Sequence, residues 1–214
     1  MAPIANTLIS LLSFTSALVS ASPVARSVAG ATASHTRTPP HAPGNETTGR
    51  IWQPAMYNIY PQAPDVSKPA VAGLHIETYE GKSQLEQVAV FTGVPAGAKQ
   101  CTLGWSQAGK EDRVFVVKGD TGLTRVRQLS DLPLDSGISF STVQPYDDAP
   151  EGEGLGPDFT FWDDEQYDEW EHAAGGVDCA EVVYLRVALR DPASKASLYL
   201  GQDDKNGLWL EWQL

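Results

Sequence analysis

Positive charge is scarce in this chain of 214 residues. Its 15 lysines and arginines stand against 27 aspartates and glutamates, which gives a net charge of −12 at pH 7. No lysine or arginine occurs between Arg127 and Arg186. A surface of this sign repels the phosphates of nucleic acids and the headgroups of anionic membranes. We therefore expect neither among the partners of the protein.

Long hydrophobic runs are missing beyond residue 21, so no membrane span is expected. Within residues 1–21, an apolar stretch from Ile9 to Val19 leads into Ser20 and Ala21, and small residues at this spacing fit signal peptidase cleavage after Ala21. The pattern predicts a cleaved signal peptide and a secreted, extracellular protein, with a buried N-terminal helix as the alternative. The C-terminus carries no hydrophobic tail of a lipid-anchor signal, which favours soluble secretion.

Aromatic residues are absent from residues 22–50, a stretch rich in Ala, Ser, Thr, Pro and Gly. Such a segment buries too little apolar surface to offset the entropy of ordering it, so it predicts a disordered linker or propeptide. Asn45-Glu46-Thr47 is an N-glycosylation motif with Asn45 as acceptor. The remainder, residues 51–214, has the size of one folded domain.

Only two cysteines are present, Cys101 and Cys179. They form no C-x-x-C motif and no zinc-binding constellation, so neither a redox-active site nor a metal site is predicted from them. In a secreted chain the simplest outcome is one intramolecular disulfide, and the alternatives are two buried thiols or intermolecular pairing. A bridge that closes about 79 residues stabilises a fold by roughly 4–5 kcal/mol if it acts through chain entropy.

Long helical patterns are also absent, whereas short strand patterns separated by turn residues recur along residues 51–214. They predict an all-β fold, an antiparallel two-sheet β-sandwich of the jelly-roll type. Asn206-Gly207 predicts a type I′ hairpin between the last two strands. In the longest strand, one face is apolar and the other carries arginines: Val183, Leu185, Val187 and Leu189 against Arg186 and Arg190. The expected strands are Leu74–Tyr79, Gln87–Phe91, Cys101–Trp105, Val114–Val117, Leu123–Leu129, Ile138–Val143, Asp158–Trp162, Val182–Leu189, Ser197–Leu200 and Leu208–Trp212.

An acidic insertion spans residues 147–171, where eleven of 25 residues are Asp or Glu. Its first part, residues 147–158, predicts a solvated and mobile loop because like charges repel one another. The second part is aromatic: Phe159 and Phe161 suit the inner face of a strand, and Trp162 and Trp170 fall at helical spacing.

Three interpretations of this insertion remain open. In the first, it is a solvated excursion whose aromatic residues pack it onto the sheets. In the second, it binds calcium, which takes six to eight oxygen ligands, although no EF-hand pattern is present. In the third, residues 158–171 recognise a ligand in the manner of a carbohydrate-binding module, with aromatic faces on sugar rings and carboxylates accepting hydroxyl hydrogen bonds. The calcium candidates are Asp163, Asp164, Glu165 and Asp168, and the ligand-binding candidates are Trp162, Tyr167, Trp170, Asp163, Asp164 and Asp168.

Enzyme signatures are incomplete in this sequence. Gly104 to Gly109 reads GWSQAG, a near miss of the G-x-S-x-G elbow that would make Ser106 a nucleophile with His75 or His172 as its base. A pair of carboxylates can hydrolyse a glycosidic bond, but nothing singles out one pair among so many acidic residues. We predict no enzyme, no cofactor and no catalytic residue, and keep a glycoside hydrolase as an alternative.

Several motifs resemble one known family. They are NIYPQAPDVS at residues 58–67, VAVFTGVPAGAKQCTLGW at 88–105, the second cysteine at 179, and LYLGQDDKNGLWLEW at 198–212. Together they resemble the But-two C-terminal domain, a large fungal group of secreted proteins named after a "ubiquitin 3 binding protein". The resemblance implies a secreted β-sandwich and brings no catalytic residues. The intracellular partner implied by the name does not fit the leader and the cysteines, so it is not carried over.

The sequence therefore predicts a secreted, non-catalytic β-sandwich that acts at a cell surface, at a cell wall or on an extracellular ligand. The sequence leaves the partner open, with a glycan or a cell-wall polymer as a candidate.

Overall fold

The computed structural model describes residues 47–133, 137–150 and 152–214. The expected signal peptide, the acceptor Asn45 and residues 22–46 of the expected linker lie outside these ranges. Within them, eleven strands and one short helix, α1 (Phe140–Val143), are present, and a 3-10 turn follows at Gln144–Tyr146. In chain order the strands are β1 (Thr48–Trp52), β2 (Ala55–Ile59), β3 (Leu74–Tyr79), β4 (Lys82–Thr92), β5 (Lys99–Gln107), β6 (Phe115–Gly119), β7 (Thr124–Gln128), β8 (Trp170–Gly176), β9 (Val182–Leu189), β10 (Ala196–Leu200) and β11 (Gly207–Gln213).

The strands form two antiparallel sheets. One sheet has four strands in the order β1-β11-β5-β8. The other has seven strands, β6-β10-β3-β4-β9-β7, with β2 also paired to β4. The all-β, two-sheet sandwich predicted from the sequence is confirmed. No helix in the described part of the chain is long and apolar enough to cross a membrane.

The main core lies between the two sheets. Trp105 of β5 is buried at its centre, with ring centroids 5.7 Å from Phe115 and 4.5 Å from Phe159. The predicted apolar face of β9 is confirmed, since all four of its residues belong to this core. A second, smaller core lies on the other face of the seven-stranded sheet, where Val88, Tyr184 and neighbours are covered by Val143 of α1.

The predictions of two strands and of one hairpin are wrong, each for an identifiable reason. Residues 138–143 contain α1 instead of a strand, because the Ser139 side chain accepts a hydrogen bond from the Thr142 backbone and the Thr142 side chain accepts one from the Ser139 backbone. In the predicted strand 158–162, Asp158 forms only an isolated bridge with Leu123, and residues 160–162 form a turn. The last hairpin is absent, since β10 pairs with β3 and β6 whereas β11 pairs with β1 and β5. Residues 201–206 therefore cross from one sheet to the other.

The folded domain begins earlier than the sequence predicts. Strand β1 starts at Thr48, so residues 48–50 belong to the sandwich and not to a linker. Arg50 shows why: its guanidinium lies 4.1 Å from the ring centroid of Trp209 and forms ion pairs of 2.9 Å with Glu171 and Glu211. Cation–π and ionic contacts across the sheet hold β1 in place.

The disulfide between Cys101 and Cys179 is confirmed, with Cα atoms 5.3 Å apart. Cys101 lies in β5 of the four-stranded sheet, and Cys179 lies just before β9 of the other sheet. The bridge therefore joins the two layers of the sandwich.

The first part of the acidic insertion is anchored to the sheet at two points, although most of its described residues are exposed. The Asp147 side chain is only 3% exposed and is ion-paired with Arg127 and Arg186. Leu155 exchanges two backbone hydrogen bonds of 2.8 Å with Val126 of β7.

The insertion also covers two sheet edges. Strands β6 and β7 are consecutive in sequence but lie at opposite ends of the seven-stranded sheet. The Thr124 backbone NH of β7 donates to Pro157, and the Val117 NH of β6 donates to the Asp163 carboxylate at 2.7 Å. Between them, the Phe159 NH donates to Gly122 in the β6–β7 connection. Covered edges cannot pair with another chain, so the segment also protects the sheet.

Candidate functional site

The second part of the insertion, residues 158–169, is folded around one cation. The Arg113 guanidinium donates hydrogen bonds to four backbone carbonyls of this loop, at distances from 3.0 to 3.4 Å. Burial of loop carbonyls is costly unless each finds a donor, and the five N–H groups of one arginine supply several at once. The acceptors are Trp162, Asp163, Asp164 and Tyr167.

Two of the four candidate carboxylates accept backbone hydrogen bonds that hold the loop in place, and Asp168 is held through its backbone carbonyl. Asp163 accepts from the Val117 backbone, and the Asp164 carboxylate accepts from the Gln166 backbone at 3.0 Å. The backbone carbonyl of Asp168 accepts from the buried Gln107 side chain at 2.9 Å. In the described ranges, no three His, Cys, Asp or Glu side chains converge as they would around a metal ion. The structure therefore brings the proposed calcium ligands into one loop but not onto one point.

The three candidate aromatic residues do come together. Trp162 has its ring centroid 4.6 Å from that of Tyr167 and 6.3 Å from that of Trp170, with interplanar angles of 40° and 33°. We call these three residues the aromatic patch. Trp170 is 58% exposed, whereas Trp162 and Tyr167 are half-buried. The patch thus presents one open indole face supported by two partly covered rings.

The helical spacing expected for the patch is not its structural basis. Trp170 is the first residue of β8 and pairs with Gln107 of β5. Trp162 contacts Trp170 from the loop of residues 158–169, which Arg113 holds in place, so two separate elements build the site. Phe161, expected on the inner face of a strand, is instead 72% exposed with φ of 67°. A bulky residue in the left-handed region is strained, and here the backbone turn directs its ring to solvent.

His172 forms the floor of the patch and was not among the predicted site residues. Its ring stacks on Trp105 at 3.8 Å with an interplanar angle of 9° and meets Trp162 edge-on at 4.2 Å. Burial lowers the pKa of His172 to about 4, and its Nε2 has no hydrogen-bond partner among the described residues. The imidazole is therefore neutral at pH 7 and acts as an aromatic spacer between the core and the patch.

The residues of the incomplete serine motif are engaged elsewhere. The Ser106 hydroxyl is buried and accepts a hydrogen bond of 2.9 Å from the Trp209 indole. His75 lies 2.7 Å from the Glu77 carboxylate on β3. His172 pairs across the strands with Trp105, whose side chain points to the opposite face of β5 from that of Ser106. Ser106 therefore forms no nucleophile–base pair with His75 or His172.

An open groove of about 690 Å³ lies near the disulfide, away from the patch, and its rim includes Arg127, Glu153 and Asp178. None of its described lining residues is aromatic. It therefore lacks the flat apolar faces on which sugar rings stack.

No protein-family description, no curated protein and no solved structure matches this chain. The geometry of the aromatic patch is therefore the main evidence about function. The resemblance to the But-two C-terminal domain stays a prediction.

Proposed function

We propose that this protein is a secreted, non-catalytic binding protein that recognises a glycan or cell-wall polymer through the aromatic patch. The observation that carries the proposal is the exposed Trp170 ring, backed by Trp162 and Tyr167. A sugar ring presents C–H groups on one face, and an open indole offers a matching apolar surface. The disulfide supports an oxidising, extracellular location, where such bonds persist.

The patch is held in place before any ligand arrives. Arg113 fixes the backbone of both loop aromatics, and Gln107 fixes the carbonyl of Asp168, two residues before Trp170. Rings that are already positioned lose little conformational entropy when they bind. This arrangement lowers the entropic cost of binding a ligand at the patch.

The charge around the patch narrows the ligand class. Asp164, Glu165, Asp168 and Glu169 are all exposed beside it. Their charge repels acidic polysaccharides, whereas their oxygens accept hydrogen bonds from hydroxyl or ammonium groups. The expected ligand is therefore a neutral or amine-bearing glycan.

Replacement of the exposed ring tests the proposal. We expect Trp170→Ala to weaken binding to insoluble or soluble glycans by about tenfold or more, as truncation of an aromatic hot spot does. Tyr79→Ala is the matched control, because Tyr79 is also an exposed aromatic residue but lies on β3. Binding is measured by depletion on chitin, chitosan, β-glucan and pectin, followed by calorimetry with soluble fragments.

Three results would each contradict part of the proposal. Equal binding by the wild type, Trp170→Ala and Tyr79→Ala would show that the patch is not the site. Absence of binding across the panel would remove the glycan as partner. Release of reducing ends by the wild type would overturn the non-catalytic assignment and favour the glycoside hydrolase.

A further inference from the structure

A ladder of arginines runs across the outer face of β7 and β9, on the seven-stranded sheet. Arg127 pairs directly with Arg186. Two residues further along, at the next position on the same face, Arg125 pairs with Ala188. Arg190 follows β9 on the same face, and its backbone NH donates to Leu123. Four of the few cations in this acidic chain thus surround one alanine. We call these four residues the arginine ladder.

One half of the arginine ladder is neutralised within the protein. Arg186 donates to the Glu86 carboxylate at 2.7 Å and to the Asp147 carboxylate at 2.6 Å. Arg127 is ion-paired with the same oxygen of Asp147. Two arginines and two carboxylates therefore form one nearly buried chain with no net charge.

The other half forms no ion pair within the part of the chain that the structure describes. Neither Arg125 nor Arg190 makes a side-chain hydrogen bond or ion pair with any described residue. The nearby Asp191 carboxylate accepts from the Ala193 backbone in its own turn. Arg125 and Arg190 lie diagonally across β7 and β9, where two long side chains of like charge are within reach of each other and repel. The chain has a net charge of −12, so carboxylates are plentiful. Even so, neither Arg125 nor Arg190 is paired with one among the described residues.

The arginine ladder borders hollows of suitable size. A cavity of about 120 Å³ is lined by residues that include all four arginines, with Ala188, Ser83 and Glu86, whose carboxylate is already paired with Arg186. A second hollow of about 380 Å³ shares Arg125 and Arg190 and is also lined by Asp191. The small side chain of Ala188 leaves the first hollow open. Its volume accommodates one oxyanion group and not a sugar ring.

We propose that the arginine ladder binds an oxyanion such as sulfate or phosphate, with Arg125 and Arg190 as its direct ligands. Guanidinium groups present paired N–H donors that match the oxygens of such anions. The neutralised pair beside them keeps the site rigid through Glu86 and Asp147. This site lies on β7 and β9, whereas the aromatic patch involves β8, so the proposal does not depend on glycan binding.

Inorganic sulfate is the first probe. We expect sulfate to raise the melting temperature of the wild type in a saturable way, compared with chloride at equal ionic strength. The double variant R125Q/R190Q is expected to lose this response and to bind sulfate about tenfold more weakly or worse by calorimetry. The control is K118Q/K195Q, which removes the same charge from exposed lysines elsewhere. It also corrects for the general stabilisation that sulfate gives to proteins.

The unliganded stability separates a binding role from a structural one. Without sulfate, R125Q/R190Q should melt at or above the wild-type temperature, because an unfavourable like-charge contact is removed. A clear fall would assign the two arginines to the fold and overturn the proposal. An equal response of both double variants to sulfate would overturn it as well.

A second arm distinguishes the source of the anion. Dextran sulfate and uncharged dextran are compared for binding to the wild type and to R125Q/R190Q. Binding of dextran sulfate by the wild type alone identifies the anionic groups of a polymer as the ligand. Binding of inorganic sulfate but not of dextran sulfate identifies a free ion, since the overall negative charge of the protein repels the polymer.

Discussion

Single residues decide much of the chemistry of this protein, and His172 is the clearest case. A histidine beside an acidic segment reads as a surface residue, yet its ring lies between Trp105 and the aromatic patch. Its environment is apolar above and below, and no described carboxylate pairs with it. The neutral form is therefore favoured in the folded state.

The protonation of His172 predicts a loss of stability in acid. The unfolded chain binds a proton near the ordinary histidine pKa of 6.5, whereas the folded chain does so only near pH 4. Between these values the unfolded state holds more protons, so the free energy of unfolding falls as the pH falls. We expect His172→Phe, which keeps an aromatic ring, to show a flatter dependence of melting temperature on pH from 6.5 to 4. Parallel curves for the wild type and His172→Phe would contradict the assignment, and the comparison at pH 7.5 supplies the baseline.

At the scale of elements, the acidic insertion differs most between the expectation from its composition and its observed structure. Its composition indicates a charged excursion, but its backbone follows the edges of the seven-stranded sheet through Leu155, Pro157 and Phe159. Composition describes side chains, whereas these contacts are made by the backbone. For that reason no residue pattern predicted them.

The loop of residues 158–169 depends on Arg113. We expect Arg113→Gln to lower the free energy of unfolding by about 1–3 kcal/mol, because several partly buried carbonyls lose their donor. Lys110→Gln is the matched control, since Lys110 only approaches the exposed Glu165 at 4.0 Å and such surface pairs contribute little. Urea unfolding followed by tryptophan fluorescence measures both. Equal midpoints for the two variants would show that the guanidinium does not hold the loop.

Three strands escaped the sequence pattern for related reasons. Burial does not alternate from residue to residue in β1 and β2, and β8 contains small residues, Ala173 to Gly176, that carry little strand signal. The wrongly predicted last hairpin has the opposite origin. Asn206-Gly207 has hairpin chemistry, but Asn206 instead donates to the Asp203 carboxylate at 2.8 Å and accepts from the Ala108 backbone.

At the scale of the whole molecule, the disulfide joins the two sheets. Removal of both cysteines in Cys101→Ser/Cys179→Ser should lower the free energy of unfolding by roughly 4–5 kcal/mol if the bridge acts through the entropy of the unfolded chain. Equilibrium urea unfolding with and without reductant measures this difference. Reductant should destabilise the wild type and leave the double variant unchanged. Two titratable thiols in the denatured, unreduced wild type would refute the bridge.

The sequence by itself determined the fold class, the disulfide and the apolar face of β9, because each rests on local periodicity or on having only one possible partner. It also identified Trp162, Tyr167 and Trp170 as candidates, since aromatic residues in an acidic loop are unusual. Only the tertiary structure decided that these rings meet, that His172 lies beneath them, and that Arg125 and Arg190 have no side-chain partner among the described residues. The rings are near one another in the sequence, but their positions depend on Arg113, Trp105 and Gln107, which lie about 50–65 residues away in the chain, and no local spacing encodes such contacts.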